Sequence, residues 1–470
     1  MGIHWVISNI VMEFLPLDFG EKERVRTAWL LSCLPNFPVL SLDRNAVKHM
    51  LIELYDATVS TFKASLCKEA NGRRVLHLNL DLWTCKYSSL KFIGVRVWMI
   101  QRDWQLRSYL LAVRQFNPSA KLLKENRLSV LLQLYLTEVL QEFNLDVKHL
   151  FSGTTDASSD VKRLCDVLLP SLWEWCIGHL LNCTLIEAVG VTLDPTKSEN
   201  RHARKVVMAV KTTVELVRNS PIAKEIFADE QMETIGKVIK LINASPHRWS
   251  GFVDVLRRVL LSRQALHDLS LAEANIDLLS EMHTEIEELY ALVLPLSQVI
   301  VESLTTQTPT GMAGLFDLAK LRLTTLDTSM PLTIFDPNEH TDKTGATLDG
   351  AQGNGASAGE GERAFATKAE QRPHGELTAM AQKTRCLLRA ALERGFFEPR
   401  YDPNTSNSSD YVFDQQMMCH PATAHLDYLD IVAADAAHAA FLKDFIREKF
   451  IALAVECAEE AMKDDAKRTP

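Results

Sequence analysis

The sequence of 470 residues predicts a mixed α/β fold: a small mixed sheet followed by a long, mainly helical region. Three observations predict it. Between Leu76 and Trp83, the leucines Leu76, Leu78, Leu80 and Leu82 alternate with His77, Asn79, Asp81 and Trp83, the two-residue period of a strand with one face in a core. Leu128, Leu131, Leu132, Tyr135, Leu136, Val139, Leu140 and Phe143 then recur at helical spacing, a wide apolar stripe. From about residue 179 to about 330 the pattern is helical almost throughout.

The elements follow in order. Residues 1–70 read as a helical N-terminal segment, clearest over Ala46–Tyr55. In residues 71–190, three strands (from Leu76, Phe92–Ile100 and Leu106–Val113) are joined by short links into a meander. The long helix follows, then a fourth strand within His149–Asp156. A shorter helix through Val161, Leu164, Cys165 and Leu168 stops at Pro170, and a fifth strand runs over Leu172–Ile177. The order β-β-β-α-β-α-β is that of the ribonuclease-H-like fold, in which the first and fourth strands are neighbours. Residues 191–335 are an α-helical insertion, with a break expected at Pro295. Residues 336–376, rich in Gly, Ala, Thr and charge, have too few large apolar side chains to offset ordering entropy and are expected to form a disordered loop. Residues 377–470 are the helical C-terminal part of the insertion.

Composition narrows the function classes. With 51 Lys plus Arg against 60 Asp plus Glu, the net charge is −9, so no global positive field draws the chain to nucleic acid and any such contact must be local. The nine cysteines form no C-x-x-C pair, which fits a reduced, intracellular setting. No apolar run reaches the roughly 18 residues that a membrane span needs, so no membrane association is expected.

The candidate chemistry is carboxylate chemistry. Asp81 lies on the polar face of the first strand, and Asp156 ends the fourth after Ser152, Gly153, Thr154 and Thr155. Two carboxylates on neighbouring strands repel unless a divalent cation, Mg²⁺ or Mn²⁺, neutralises them, and such a site suits in-line attack at phosphorus. The alternative makes Asp81 a solvated strand residue and Asp156 the N-terminal cap of the next helix. Cys176 and His179 have the spacing of half a zinc site without a second half nearby; a core Cys before a helix-entry His is the competing reading. Basic residues gather at Lys197, Arg201, Arg204, Lys205, Lys211 and Arg218, and again at Arg248, Arg257, Arg258 and Arg263. They suit either a phosphate backbone or a solvated helix face. Trp249, beside Arg248, is a candidate for stacking on an unpaired base or for the core.

Three blocks together resemble the hAT family of cut-and-paste DNA transposases. The first is Leu80-Asp81-Leu82-Trp83-Thr84-Cys85 with Phe92-Ile93-Gly94-Val95. The second is Thr155-Asp156-Ala157-Ser158 followed by Trp175-Cys176-Ile177-Gly178-His179-Leu180-Leu181-Asn182. The third is His247-Arg248-Trp249-Ser250, and Phe396-Phe397-Glu398-Pro399-Arg400-Tyr401 is similar to a late block of the insertion. The resemblance implies that Asp81 and Asp156 bind the catalytic Mg²⁺ or Mn²⁺ and cleave and transfer phosphodiester strands at transposon ends. It implies that Trp249 and the Cys176/His179 pair sit beside the active site near distorted DNA, where Arg248, Arg204 and Lys205 of the basic clusters would meet its backbone, that the protein works in the nucleus, and that a homo-oligomer is allowed.

The sequence also departs from the family. Asp156-Ala157-Ser158 stands where Asp-Asn-Ala is usual, and His247 replaces Thr. No Cys/Cys/His/His set precedes the helical opening, so the zinc finger that reads transposon ends is missing. The third catalytic acid has no place: Glu393-Arg394 precedes the late block, and Glu448 and Glu459 lack the run of small residues. The expectation is therefore a truncated or host-retained transposase with little or no turnover, or else an inactive DNA- or protein-interaction module.

Overall fold

The computed structural model describes residues 44–70, 72–85, 88–101, 103–156, 158–169, 171–191, 194–243, 249–272, 279–305, 311–338, 370–404 and 411–466. The chain divides into two compact units, Met1–Gly153 with Arg163–Ser171, and Thr154–Lys162 with Leu172–Pro470.

In the first unit, helix α1 (Arg44–Ala70) precedes strands β1 (Leu76–Thr84), β2 (Lys91–Ile100) and β3 (Leu106–Gln115), an antiparallel meander. Helices α2 (Ala120–Glu125) and α3 (Leu128–Glu142) follow, and then strand β4 (Leu150–Thr155). Leu76, Leu78 and Leu80 of β1 and Ile93, Val95, Val97 and Met99 of β2 are buried together with Leu132, Leu136, Val139 and Leu140 of α3. Phe62 of α1 meets Tyr109 of β3 edge to face at 5.2 Å, and Arg114 of β3 donates to Glu142 of α3 at 2.7 Å, so both helices lie on the leucine side of the sheet. The alternation legible in the sequence is the burial pattern observed as far as Leu80 of β1 and along β2, whereas Leu82 is half-buried.

The sheet order is β3-β2-β1-β4-β5, with β5 at Leu172–Trp175. The Val75 N–H donates to the His149 carbonyl at 3.1 Å, His77 Nδ1 meets Ser152 Oγ at 2.8 Å, and Gly153 lies against Leu78. These contacts advance in the same direction along both strands, so β1 and β4 are parallel. The Cys176 N–H, just past β5, donates to the carbonyl of Thr155 at the end of β4, which makes that pair parallel too. The helix read through Val161–Leu168 is α4 (Ser159–Arg163) continued by one π turn, Leu164–Leu168, before the chain reaches Pro170.

The second unit is built on helices α5 (Ile177–Ala188), α6 (Arg201–Asn219), α7 (Pro221–Ile235), α8 (Trp249–Leu261), α9 (Arg263–Ala272), α10 (His283–Thr305) and α11 (Gly311–Leu323). After the ribbon of β6 (Leu332–Ile334) and β7 (Glu370–Arg372) come α12 (Ala379–Leu392), α13 (Glu398–Tyr401), α14 (Val412–Met418), α15 (Leu429–Val432) and α16 (Ala436–Ala466). One apolar cluster runs from Ile177 to Ile446, so the stretches before and after residue 370 share a core.

Two expectations are corrected. Helix α10 does not break at Pro295 but passes through it. Its neighbours Leu289, Tyr290, Leu292, Val293 and Leu296 are all buried, and that packing outweighs the one backbone hydrogen bond proline removes. The expected disordered loop of 336–376 ends early, because residues 370–372 pair with β6; residues 339–369 lie outside the described residues. Arg372 fixes this end: its guanidinium bonds Glu288 at 2.9 Å and Glu287 at 3.3 Å on α10. Buried Glu288 in turn accepts from the N–H and hydroxyl of Thr378, the N-cap of α12.

No helix among the described residues is long and apolar enough to cross a membrane.

Candidate functional site

Asp81 sits on β1 opposite Gly94 of β2, on the face away from the leucines, and is exposed. The pairs along this face are His77 with Trp98, Asn79 with Arg96, Asp81 with Gly94 and Trp83 with Phe92. Arg96 donates to Ser108 of β3 at 2.8 Å. His77, at the inner end of the row, is half-buried, and desolvation of its ring pushes the imidazole down to about 4, so it is neutral near pH 7.

Asp156 lies one residue beyond β4. Its Oδ1 accepts from the N–H of Ser158 at 3.2 Å and from its hydroxyl at 2.9 Å, closing the turn that leads into α4. This is an Asx turn ahead of α4 rather than the helix N-cap that the alternative reading assigns, because the bonds go to Ser158 and α4 begins at Ser159. The same carboxylate acts on Cys183 of α5. Desolvation of the sulfur pushes that thiol up first, and the negative charges of Asp156 and Glu187 add to it.

Of the Cys176/His179 pair, Cys176 forms the N-cap of α5 and His179 lies in its first turn. The ring of His179 pairs with a different cysteine: Nε2 lies 3.3 Å from Cys183 Sγ, one helical turn on. Reading Cys176 with His179 missed this partner, although the four-residue spacing of His179 and Cys183 on one helix was available. Among the described residues, no three His, Cys, Asp or Glu side chains form a group that could hold a metal ion, so no second half of a zinc site stands there.

The basic residues separate by role. Arg204 donates to the Gly190 carbonyl at 3.1 Å and pins the corner between α5 and α6, whereas Lys205 and Arg201 are exposed on α6. Lys211 lies over the Phe252 ring. Arg257 donates to the Pro337 carbonyl at 2.8 Å, and nearly buried Arg258 to the Lys240 carbonyl. The second cluster is therefore partly spent on main-chain carbonyls. Arg248 lies outside the described residues, and Trp249 is placed only as the first residue of α8.

No family model matches the chain, and no curated protein does.

The acids left over as candidates for a third ligand are engaged elsewhere or exposed. Glu393 accepts from Arg322 Nε at 2.7 Å and faces Arg389 at 3.7 Å. Glu448 and Glu459 are exposed on α16. The late block serves the core: Arg400 and Tyr401 are buried, and the guanidinium holds Glu174 of β5. Nothing in the sequence pattern distinguishes that buried arginine from a surface one.

Whether a divalent ion fits is a question of donor chemistry. Asp81 and Asp156 offer hard carboxylate oxygens. Among the described residues, the donors to Asp156 all meet Oδ1. Mg²⁺ takes one or two carboxylates and fills its remaining positions with water and substrate phosphate.

Proposed function

We propose that the chain is a hAT-type transposase-like protein with a ribonuclease-H-like sheet. It binds DNA, and its ancestral reaction is metal-dependent phosphodiester cleavage and strand transfer at transposon ends. The observation that carries the reading is the parallel pairing of β1 with β4 at Leu78 and Gly153, in a sheet of order β3-β2-β1-β4-β5. Asp81 and Asp156 each follow those paired residues by three positions, Asp81 within β1 and Asp156 one residue past the end of β4.

In this reading Asp81 and Asp156 hold Mg²⁺ or Mn²⁺, which supplies charge neutralisation and activation of the attacking oxygen when bound. Asp156 also keeps its turn through Ser158, which fixes the carboxylate's direction. Cys176 and His179 stand at the start of α5, next to the end of β4, and face distorted DNA. Arg201 and Lys205 give α6 a phosphate-facing edge, with Arg204 serving the corner behind them. The reading assigns two acids, and with those two alone turnover is slow or absent. It works in the nucleus, on DNA, as a monomer or homo-oligomer.

A second reading, a DNA- or protein-interaction module without turnover, is favoured by one observation: Asp156 is already occupied as a turn cap. Nicking of supercoiled DNA with Mn²⁺ separates the two. Nicking lost in Asp81→Asn and Asp156→Asn supports the enzyme, whereas identical traces for wild type and variants leave only the module.

A further inference from the structure

We infer that His179 and Cys183 form an open, two-donor site for a divalent ion of the zinc class on the exposed edge of α5. The inference goes beyond the proposed function and does not depend on it, since it rests on donor chemistry within one helix.

Helix α5 is an apolar helix that buries nearly all it has, with Ile177, Leu180, Leu181, Leu185 and Ala188 turned to the core. Its exposed residues are His179, Cys183 and Glu187, four apart in sequence and so on one stripe. Each is a type that ligates metals. Cysteine is among the side chains most often fully buried, so packing gives no reason for one in the solvent beside an imidazole.

The spacing suits a chelate. His179 Nε2 lies 3.3 Å from Cys183 Sγ. Zinc bonds of about 2.0 Å to nitrogen and about 2.3 Å to sulfur, at a tetrahedral angle, set two such donors roughly 3.5 Å apart. The helix therefore holds both atoms near the separation that a shared ion requires, which reduces the side-chain ordering lost on binding. The ion takes the Nε2 lone pair of the neutral ring, and Cys183 releases its thiol proton to water and binds as thiolate.

Local charge favours exchanging that proton for a dication. Asp156 and Glu187 both act on Cys183 and oppose a bare thiolate, and the same negative charges attract a cation. Glu187 is held by Arg394, so it lends charge rather than a ligand. Among the described residues no third His, Cys, Asp or Glu joins the pair. Water then completes the coordination, and the ion is exchangeable rather than structural. Imidazole and thiolate suit zinc, whereas Mg²⁺ takes oxygen ligands, so this pair and the carboxylates of Asp81 and Asp156 select different metals.

The test uses the full chain, freed of metal by a chelator, with Zn²⁺ alone as the probe. Alkylation of each cysteine by iodoacetamide is followed by peptide mass spectrometry with and without Zn²⁺. In wild type Zn²⁺ is expected to slow alkylation of Cys183 by about tenfold, because the bound thiolate is masked. Cys386, Cys419 and Cys457, exposed but with no histidine one helical turn away, should be unaffected. His179→Ala should abolish the protection of Cys183, and Mg²⁺ in place of Zn²⁺ should give none. A second measurement replaces Zn²⁺ by Co²⁺, whose thiolate charge-transfer absorption should be present in wild type and lost in Cys183→Ser; it decides the matter if His179→Ala does not fold. Equal protection in wild type and His179→Ala, protection of Cys183 no greater than that of the other three cysteines, or a Co²⁺ band unchanged in Cys183→Ser overturns the inference and leaves only a hydrogen bond between thiol and ring. None of these readouts involves DNA or Asp81, so the transposase-like reading stands or falls separately.

Discussion

Arg400 holds Glu174 in an ion pair between two buried side chains 226 residues apart, and it ties α13 to the edge strand β5. Glu174 also accepts from the Val412 N–H at 3.0 Å, and Asp414 lies 3.8 Å from the same guanidinium while accepting from the hydroxyls of Tyr401 and Tyr428. Arg400 further lies over the Phe396 ring at 4.5 Å. Removing the cation strands two buried carboxylates. Arg400→Met is therefore expected to cost roughly 3 to 5 kcal/mol in denaturant unfolding, and adding Glu174→Gln should recover a substantial part. A cost below about 1 kcal/mol would show that the pair does not hold the fold.

Stability should fall in acid partly through His77. Burial pushes its imidazole from 6.5 down to about 4, while the unfolded chain takes up the proton near its ordinary value. The unfolded state therefore binds more protons between those limits, and stability from this group is lost as pH drops from about 6.5 to about 4, by on the order of 3 kcal/mol at most. Burial pushes the carboxyls of Glu174 and Asp414 up, which works in the opposite direction, but these groups are common to wild type and variant. The difference between wild type and His77→Gln in urea unfolding should change across that window and be flat above pH 7.

The corner between α5 and α6 is expected to be intolerant. Asn200 caps α6 through the Ala203 N–H and donates to the Ala188 carbonyl and to Thr384. Asn200→Ala should cost about 2 kcal/mol, a lost cap plus an unsatisfied buried carbonyl. Gly190 has φ +70°, and a Cβ there would lie 2.7 Å from the Asn200 carbonyl oxygen. Gly190→Ala should then cost roughly 3 kcal/mol or more. Thermal melts of both variants check the order of severity.

Cys183 should react sluggishly with iodoacetamide at pH 7, because its thiol is pushed up by desolvation and by Asp156 and Glu187. Asp156→Asn removes one of the two negative charges, so alkylation of Cys183 should speed up severalfold. Peptide mass spectrometry distinguishes it from Cys386, Cys419 and Cys457, which are exposed as Cys183 is. An unchanged rate would mean that Asp156 does not act on that thiol.

The sheet was legible because its signal is local. Leucine alternation from Leu76 and the apolar run at Ile93, Val95, Val97 and Met99 report a buried face directly, and the β-β-β-α-β-α-β order predicts β1 beside β4. The ribbon of β6 and β7 was not legible, since Leu332–Ile334 and Glu370–Arg372 are short and held by Arg372 on Glu287 and Glu288, a long-range charge contact with no period. Pro295 misled because helix breaking is a local rule that tertiary packing overrides. At the candidate site, residue type located Asp81 and Asp156, but the pairing of His179 with Cys183 depends on side-chain direction, which composition and spacing carry only weakly.

The central claim is that Asp81 and Asp156 share a divalent cation. Titrating Mn²⁺ into the protein while following the free-ion signal by electron paramagnetic resonance tests it without requiring turnover. The account predicts saturable binding in wild type that Asp81→Asn and Asp156→Asn each weaken by at least tenfold in proteins that melt like wild type. Binding of the same strength and stoichiometry in wild type and both variants, or no saturable binding in wild type, would contradict it.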